Sequence, residues 1–467
     1  MIQKTLKALL EELGKSKVTA DPDILSAYSV DESSDLRAEP DILVRAENTA
    51  DVSATMRICN RLGTPVIPRG AGSGVTGGAV AVRGGVVLSL EKMNRILEID
   101  CENMAAVVEP GVITADIQKA AAAEGLMYPP DPASLDICSI GGNVAENAGG
   151  PRAVRYGITG NYVIGLELVL PDGSVISTGG KFVKNATGYN LIGIIIGSEG
   201  TLAVVTRITL RLIPAPLHSI DLLIPFESID SAINTVHSIL MSRVMPSTIE
   251  FMEAGAIDIV SRYLGRDMPF PDARAHLLLQ LDAQTGDEID AMLEKLSSAV
   301  PVEHDRIIVA QSPLQQERLW KARRSIREAI HALNPVFLAE DCVVPRSRIP
   351  DFIIDLKKYF KSRGLVSVIF GHAGDGNVHI DVIKGDMDYD EWLKRMPELK
   401  KEIYSRALAR GGTITGEHGI GCVRREYLPM ALSDAEIRLQ SRIKRAFDPN
   451  MILNPGKIFP DDYCGDS

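Results

Sequence analysis

Residues 68–78 read PRGAGSGVTGG, and glycine occupies five of the nine positions after Arg69. The pattern predicts a short strand at 65–68, just before this run, and a β-rich segment at 85–90 after it. Glycine accepts backbone conformations that other residues avoid, and successive N–H groups can form a concavity that binds an anion. With the cation of Arg69, the run predicts a loop that binds a diphosphate. A glycine-rich surface loop without a ligand is the alternative.

The same run also matches a second kind of nucleotide-binding motif. Residues 72–77 match the GxGxxG fingerprint of dinucleotide-binding Rossmann folds, and Glu91 lies about 20 residues further on, where such folds place a ribose-binding acid. A Rossmann loop must open a helix, however, and the stretch between Gly77 and Gly85 is too short and glycine-rich for one. The context therefore disfavours this interpretation, and an NAD-dependent dehydrogenase remains as a rival.

A second segment, IGGNVAENAGG at 140–150, is dense in small residues and amides that could let a flat ring system lie against the backbone. Three shorter motifs accompany it: YPPDP at 128–132, NATGY at 185–189 and GSEGT at 197–201. Together with the first run they resemble the FAD domain of the vanillyl-alcohol-oxidase/PCMH flavoproteins. The likeness covers nearly the whole chain. It is closest to the branch that contains the FAD-binding glycolate oxidase polypeptides and the FAD-linked D-lactate (D-2-hydroxy acid) dehydrogenases.

The resemblance implies a division of the FAD site. The first loop holds the pyrophosphate, while the Asp131 and Gly141–Asn143 regions line the ribityl and isoalloxazine portions. Some relatives attach flavin through a histidine in the first loop, but Ser73 stands there and no histidine precedes His218, so FAD should be non-covalent. The expected FAD contacts are Arg69, Gly70, Ala71, Gly72, Ser73, Gly74, Thr76, Gly77, Gly78, Pro130, Asp131, Ser134, Gly141, Gly142, Asn143, Ala145, Asn147, Gly149, Gly150, Tyr156, Gly157, Glu199, Gly200, Val205 and Asn454.

Two histidine motifs lie near the C-terminus: GHAGDGNVH at 371–379 and GEHGIG at 416–421. An Asp-Gly-Asn turn between two strands predicts a hairpin that brings His372 and His379 to one end, and Glu417 would complete a metal-ligand set from another loop. Three protein ligands leave open positions, as in catalytic sites; zinc fits, and manganese or iron remain possible. A well-packed hairpin with histidines bonded to backbone is the alternative. The resemblance supports the metal.

The same region offers a base and an anion-binding residue. His418 adjoins Glu417, and a neutral imidazole suits a general base that takes the hydroxyl proton while the C2 hydride passes to flavin N5. A guanidinium matches a carboxylate, and by resemblance Arg323 on the predicted helix 314–333 binds the substrate, with Asn377 beside it. A solvated basic helix face is the alternative.

Composition limits the class of protein. The chain has 467 residues and a net charge of -11, which argues against nucleic acid or an anionic membrane as partner. No apolar run approaches about 18–20 residues, and the N-terminus lacks the features of a signal peptide. The cysteines are scattered without a CxxC pair or iron–sulfur pattern, so we expect reduced thiols in the cytoplasm. They are Cys59, Cys101, Cys138, Cys342, Cys422 and Cys464.

The expected fold is α+β. A two-lobed FAD domain spans 1–213, a cap with an antiparallel sheet covered by helices and carrying the metal site spans 217–424, and residues 425–467 return to the FAD domain. The expected activity is oxidation of D-lactate or glycolate to the 2-oxo acid. The 2-hydroxyglutarate enzymes carry a lysine just before the Asp341 region, and Ala339 and Glu340 occupy that place here.

Electrons must leave the reduced flavin. Because the chain has no iron–sulfur motif, we expect an electron-transfer flavoprotein, an iron–sulfur subunit, a cytochrome or a quinone as acceptor. Two alternatives stay open: a D-2-hydroxyglutarate-type dehydrogenase, and a non-catalytic flavin electron-relay subunit. Homodimer formation also stays open.

Overall fold

The computed structural model describes residues 1–33 and 36–463 and divides the chain into two units. The first unit combines residues 1–149, 158–215 and the segment from Glu417 onward, and the second combines 150–157 with 216–416. The chain passes from the first unit to the second at Ala215/Pro216 and returns to the first at Gly416/Glu417. The mixture of helices and antiparallel sheets confirms the α+β class.

The strands of the first unit are β1 (Val18–Thr19), β2 (Ile42–Arg45), β3 (Val66–Arg69), β4 (Val86–Ser89), β5 (Ile96–Asp100), β6 (Ala105–Val108), β7 (Leu126–Met127), β8 (Val163–Val169), β9 (Val175–Gly179), β10 (Val204–Arg211) and β11 (Ile213–Pro214). Those of the second unit are β12 (His218–Phe226), β13 (Thr248–Glu253), β14 (Ala275–Ala283), β15 (Ile308–Ala310), β16 (Phe337–Val343), β17 (Val366–His372) and β18 (Asn377–Ile383).

The helices in chain order are α1 (Ile2–Leu13), α2 (Pro22–Ser26), α3 (Thr49–Leu62), α4 (Thr114–Ala123), α5 (Ile140–Glu146), α6 (Ala153–Tyr156), α7 (Leu191–Ile195), α8 (Ile229–Met241), α9 (Ala254–Leu264), α10 (Gly286–Ala299), α11 (Pro313–Arg324), α12 (Ile326–Leu333), α13 (Ile349–Ser362), α14 (Tyr389–Leu408), α15 (Leu428–Ala431) and α16 (Asp434–Phe447). Short 3-10 turns occur at Thr159–Asn161, His304–Arg306, Arg346–Arg348, Arg425–Tyr427 and Asp461–Tyr463.

A four-stranded sheet in the order β1-β2-β4-β3 carries the glycine-rich loop, and its inner pairs β2–β4 and β3–β4 are parallel. Helix α3 packs on this sheet through the apolar positions that its sequence spacing predicts, including Val52, Met56 and Cys59, all fully buried. Asn48 caps the helix by accepting a hydrogen bond from the N–H of Asp51. The buried apolar face therefore fixes the helix on the sheet.

Strand β3 is the edge of this sheet, and a late part of the chain covers its open side. The N–H of Val66 donates to the carbonyl of Ile452 at 2.8 Å, and the N–H of Asn454 donates to the carbonyl of Val66 at 2.7 Å. Leu453 also lies in the apolar core of this sheet. Residues 452–454 therefore extend the sheet beyond β3 and satisfy edge groups that would otherwise be exposed.

The second sheet of the first unit is antiparallel, in the order β5-β6-β10-β8-β9. Its β8–β9 hairpin confirms the hairpin that the Pro-Asp-Gly turn at 171–173 predicts. At the start of helix α16, Ser433 closes a capping box with Glu436.

The second unit contains a seven-stranded antiparallel sheet in the order β15-β12-β14-β13-β17-β18-β16. Helices α9, α11 and α12 cover one face, where Met252 and Phe370 of the sheet meet Leu319 and Ile326. The basic helix expected over 314–333 is divided into α11 and α12 at Ser325. On this face of the sheet lie the side chains that form the candidate site.

Two further features concern the chain as a whole. Across residues 1–33 and 36–463, no helix combines the length and the apolar character that crossing a membrane requires. The described cysteines are free thiols, as expected, while Cys464 lies outside the described residues.

Candidate active site

The glycine-rich run forms an extended loop after β3 that leads to its parallel neighbour β4. Residues 70–85 contain no helix, so this loop does not open a helix as a Rossmann loop must. Gly72 and Gly77 have φ values of 74° and 75°, in the left-handed region that residues with a side chain rarely adopt. The GxGxxG match is therefore not a Rossmann fingerprint, and the glycines serve the shape of the loop.

Arg69 stabilises the conformation of this loop. Its side chain is buried, and Nη1 donates to the carbonyl of Val30 at 2.8 Å and to that of Ala79 at 3.4 Å. The guanidinium also stacks over the ring of Tyr28, and a Cβ on Gly72 would collide with it. Burial lowers the pKa of Arg69. In this conformation the guanidinium of Arg69 holds the loop through the carbonyls of Val30 and Ala79.

The second glycine-rich segment begins as a short helix, α5, that meets the first loop. Ser139 caps it by accepting from the N–H of Gly142, and a Cβ on Gly70 would collide with that same hydroxyl. A Cβ on Gly141 would lie 2.7 Å from Cβ and 2.9 Å from the carbonyl oxygen of Pro110. Glycine at position 70 therefore lets the first loop approach the start of α5, and glycine at position 141 lets α5 pack against Pro110. The structure brings together this part of the expected FAD site.

Two of the expected FAD residues hold neighbouring backbone. The amide nitrogen of Asn454 donates to the carbonyls of Gly78 at 3.1 Å and Glu199 at 2.8 Å. The carboxylate of Glu199 accepts from the N–H groups of Ile420 at 2.8 Å and Gly421 at 2.6 Å. Burial raises the pKa of Glu199, although these N–H groups oppose the effect. Glu199 thereby fixes the residues that follow His418.

The remaining expected FAD residues are more dispersed. Asn143 is buried and donates to the Thr114 hydroxyl at 2.7 Å, and Val205 is a buried residue of β10. Gly150, Tyr156 and Gly157 belong to the second unit, where the Tyr156 hydroxyl donates to Asp282 at 3.2 Å.

In the second unit, β17 and β18 form the expected hairpin, and its two imidazoles converge. Register pairs His372 with Asn377 and Phe370 with His379, so all four side chains occupy one face. The Nε2 atoms of His372 and His379 lie 3.3 Å apart, and both residues are buried. Two nitrogens at about 2.0–2.1 Å from one tetrahedral metal ion would be separated by about 3.4 Å. The predicted convergence is confirmed, and its spacing fits a shared ion.

A buried carboxylate stands behind His372. Glu250, on the neighbouring strand β13, accepts from His372 Nδ1 at 2.6 Å through Oε1, while its Oε2 lies 2.7 Å from Arg323 Nη2. Burial raises the pKa of Glu250, but the contacts with His372 and Arg323 outweigh this effect, so that the pKa is lowered. Sequence reasoning missed Glu250, because nothing near it in the sequence points to residues more than 100 positions away.

Arg323 contacts both Glu250 and Phe370 on the face of the sheet that carries the imidazole pair. Its guanidinium stacks 4.8 Å from the centre of the Phe370 ring, and that ring lies 5.2 Å from the imidazole of His379. Among the residues that the structure describes, Arg323 Nε and Asn377 Oδ1 are buried without a hydrogen-bond partner. Buried polar atoms are normally satisfied, so two orphans near the imidazole pair fit a site that takes a polar ligand.

The two residues before Glu417 are hydrogen-bonded to a residue of the same sheet. The N–H of Gly416 donates to Asp341 Oδ2 at 2.7 Å, the Thr415 hydroxyl donates to Oδ1 at 3.0 Å, and Asp341 lies directly opposite His379 in the register. The next residue, Glu417, begins the C-terminal part of the first unit, where its Oε1 lies 3.9 Å from Nε2 of His418. A Cβ on Gly149 would lie 3.2 Å from Glu417 Oε2.

These features are those of a flavin-dependent oxidoreductase, and comparisons with known proteins identify the family. Residues 40–179 match the FAD binding domain model, and residues 216–458 match the model of the FAD linked oxidases, C-terminal domain. The chain therefore belongs to the FAD-linked oxidases, with FAD as its cofactor. This also excludes the NAD-dependent alternative.

Among its relatives, the glycolate oxidase subunit GlcD of Bacillus subtilis (strain 168) is 40% identical over 437 residues, covering 93% of this chain and 92% of the relative. The D-lactate dehydrogenase of Anaerostipes hadrus is 38% identical, and the alignment covers 96% of each chain. The structure of p-cresol methylhydroxylase with substrate bound has a TM-score of 0.83 at 19% identity, covering 100% of this chain and 98% of that chain. This last likeness confirms the PCMH-type fold.

Proposed function

We propose that this chain is a dehydrogenase that oxidises a small D-2-hydroxy acid, D-lactate or glycolate, to the corresponding 2-oxo acid. The observation that carries the proposal is the pair of buried imidazoles, His372 and His379, spaced as ligands of one ion in a chain of the FAD-linked oxidase family. Relatives named as a glycolate oxidase polypeptide and as a D-lactate dehydrogenase support the substrate class.

His372, His379 and Glu417 would hold a divalent metal, with zinc the best match and manganese or iron as alternatives. All three offer suitable donor atoms, and the nitrogen spacing and the two orphaned polar atoms fit such a centre. The anchoring of Gly416 on Asp341 supports the placement of Glu417, since the carboxylate belongs to the next residue. When bound, this metal supplies a Lewis acid for the substrate hydroxyl, and non-covalently bound FAD supplies the hydride acceptor.

The protein's own groups would bind the acid and move the proton. Arg323 would bind the substrate carboxylate, because its Nε–H is buried without a partner among the described residues while Nη2 serves Glu250. Asn377 would accept a hydrogen bond from the substrate at its buried Oδ1. His418 would take the hydroxyl proton at a ring nitrogen as C2 loses its hydride.

The neighbourhood of Ala339 favours a monocarboxylate. The 2-hydroxyglutarate enzymes that the chain resembles carry a lysine just before the Asp341 region, whereas Ala339 and Glu340 stand here. These two positions would therefore supply no cation for a second carboxylate on the substrate. One relative, of Stutzerimonas stutzeri (strain A1501), is named D-2-hydroxyglutarate dehydrogenase and is 35% identical, so this acid is the alternative substrate.

For the acceptor, we propose a separate electron-transfer flavoprotein, iron–sulfur subunit, cytochrome or quinone, and for the location the cytoplasm. The proposed base, ligand set and carboxylate-binding residue all have a use in catalysis and none in a passive electron relay. They therefore favour an enzyme over a relay subunit.

The test is anaerobic reduction of the bound flavin by D- and L-lactate, glycolate and D-2-hydroxyglutarate, followed as loss of flavin absorbance. We expect D-lactate or glycolate to bleach the flavin rapidly, and chelator treatment to slow bleaching until a divalent metal is restored. Bleaching that survives chelation would refute the metal role. A flavin that no acid reduces would instead favour the relay subunit.

A further inference from the structure

We propose that Glu250 is a positioning residue for the imidazole pair: it fixes the tautomer and the orientation of His372, and Arg323 holds it in place. The inference rests on the metal site proposed above and adds a residue to it that belongs to neither the ligand set nor the substrate contacts. It concerns one sheet face of the second unit and helix α11, which covers that face.

The first step is the tautomer of His372. A carboxylate can only accept hydrogen bonds, so the 2.6 Å contact between Glu250 Oε1 and His372 Nδ1 requires the proton on Nδ1. In the neutral ring the lone pair then lies on Nε2, which is the atom facing Nε2 of His379 at 3.3 Å. Both lone pairs can serve one ion only when His372 keeps this tautomer. Carboxylates that orient ligating histidines in this way are a recurrent feature of metal sites.

The second step is the orientation of the carboxylate. Glu250 is fully buried, and a buried anion is costly unless it is paired. Arg323 Nη2 lies 2.7 Å from Oε2, so the two oxygens of Glu250 serve two different partners. Arg323 thereby fixes the orientation of the Glu250 carboxylate, and the carboxylate in turn fixes the ring of His372.

The third step links the two histidines. The guanidinium of Arg323 also stacks on Phe370, whose ring lies against His379. Arg323 therefore contacts one proposed ligand through Glu250 and the other through Phe370. A simple buried ion pair between helix and sheet would stabilise the fold without any preference for the nitrogen of His372 that is protonated, and this difference makes the two interpretations separable.

The experiment compares zinc binding by the FAD-containing full chain and by Glu250→Gln. Metal-free protein is dialysed against buffered free Zn²⁺, and bound zinc and FAD are measured per chain. The glutamine side chain keeps the size of Glu250 but removes the charge, and it can present an N–H to Nδ1. We expect the variant to need about 10- to 100-fold more free zinc for half-saturation, with FAD content unchanged.

Glu253→Gln is the matched control. Glu253 lies three positions along the same strand, is also buried, and accepts from Lys357 Nζ at 2.6 Å and from the N–H of Ile369 at 3.0 Å. Its odd spacing from Glu250 places it on the opposite face. This variant loses a buried, paired carboxylate but should keep the zinc affinity of the unmodified chain.

Equal zinc affinity of Glu250→Gln and the unmodified chain would overturn the inference while leaving the metal site intact. An unmodified chain that binds no zinc would overturn the proposed metal function and this inference with it. If Glu250→Gln does not fold, as judged by near-ultraviolet circular dichroism, Glu250→Asp serves instead. It keeps the charge and shortens the reach, and we expect weaker zinc binding; unchanged affinity would again refute the proposal.

Discussion

The cofactor loops of the first unit and the sheet face of the second unit achieve specificity by opposite means. The loops depend on missing side chains: Gly70, Gly72 and Gly141 leave room for neighbouring groups that a single methyl group would displace. The sheet face depends on side chains, and the Glu250–His372 contact is useful only because the register sets the two residues opposite each other. A site that binds its ligand through backbone N–H groups can thus be recognised from the glycine content of the sequence. A site that acts through side chains depends on their spacing in the sequence and on which residues the strands pair.

His418 tests this contrast most directly, because it is a side chain with a proposed chemical role in the unit of glycine loops. We expect His418→Ala to slow anaerobic flavin reduction by about 10²- to 10⁴-fold, since a positioned base contributes about that much. FAD content should stay constant. His237→Ala, which removes an exposed histidine from α8, is the control. Full-rate reduction by His418→Ala would remove the base assignment.

His276 tests whether a buried polar residue on this sheet face makes the free energy of unfolding depend on pH. Its Nε2 donates to the carbonyl of Pro269 at 2.9 Å, and burial lowers the pKa of His276 from 6.5 to about 4. Between these values the unfolded state binds the proton and the folded state does not. The contribution to stability is therefore complete above pH 6.5 and is lost as the pH falls to about 4, by about 3 kcal/mol.

Denaturant unfolding across pH 4–8 measures this effect. His276→Gln, which does not titrate, should flatten the pH dependence, whereas His304→Gln at an exposed position should not. An unchanged slope in His276→Gln would assign the acid sensitivity to other groups.

Gly141 tests the backbone side of the contrast. Gly141→Ala places a Cβ against Pro110, and overpacking of this kind costs about 1–3 kcal/mol. We expect FAD to dissociate about tenfold more readily, measured by the fluorescence of released flavin. Gly286→Ala is the control, since a Cβ there meets nothing within 4 Å. Equal FAD retention in both variants would show that FAD binding does not need the close packing of Gly141 against Pro110.

Arg323→Lys is the smallest change and tests geometry alone. The lysine keeps the charge but loses the planar fork that serves a carboxylate on two sides, so we expect kcat/KM to fall about tenfold with most of the change in KM. Arg324→Lys replaces the neighbouring residue, which is paired with Glu317 at the surface, and should have no effect. Equal kinetics in the two variants would remove the proposed role of Arg323 in binding the substrate carboxylate.

The sequence predicted the elements whose signal is local. Helix α3 follows apolar positions at helical spacing, and the imidazole hairpin follows a turn between two apolar strands. Helix α5 has no such signal, because Gly141 and Gly142 lower its propensity and it forms against Pro110. The break at Ser325 was also missed, since the composition of 314–333 is continuous across it.

The candidate site divides in the same way. His372 and His379 could be paired from their spacing, but Glu250 could not, because it reaches His372 only through the order of strands in the sheet. Arg69 could be placed at the loop, yet its direction toward the carbonyls of Val30 and Ala79 depends on contacts outside the motif.

The closure of β3 by residues 452–454 has a consequence for synthesis in the cell. Val66 leaves the ribosome roughly 390 residues before Ile452, the partner of its N–H group. At about 5–20 residues per second, the open edge of the parallel sheet waits roughly 20–80 s for its covering segment. During that interval the nascent chain presents an unpaired strand, which chaperones can shield and other chains can pair with. The first sheet is thus completed only after residues 452–454 have been synthesised.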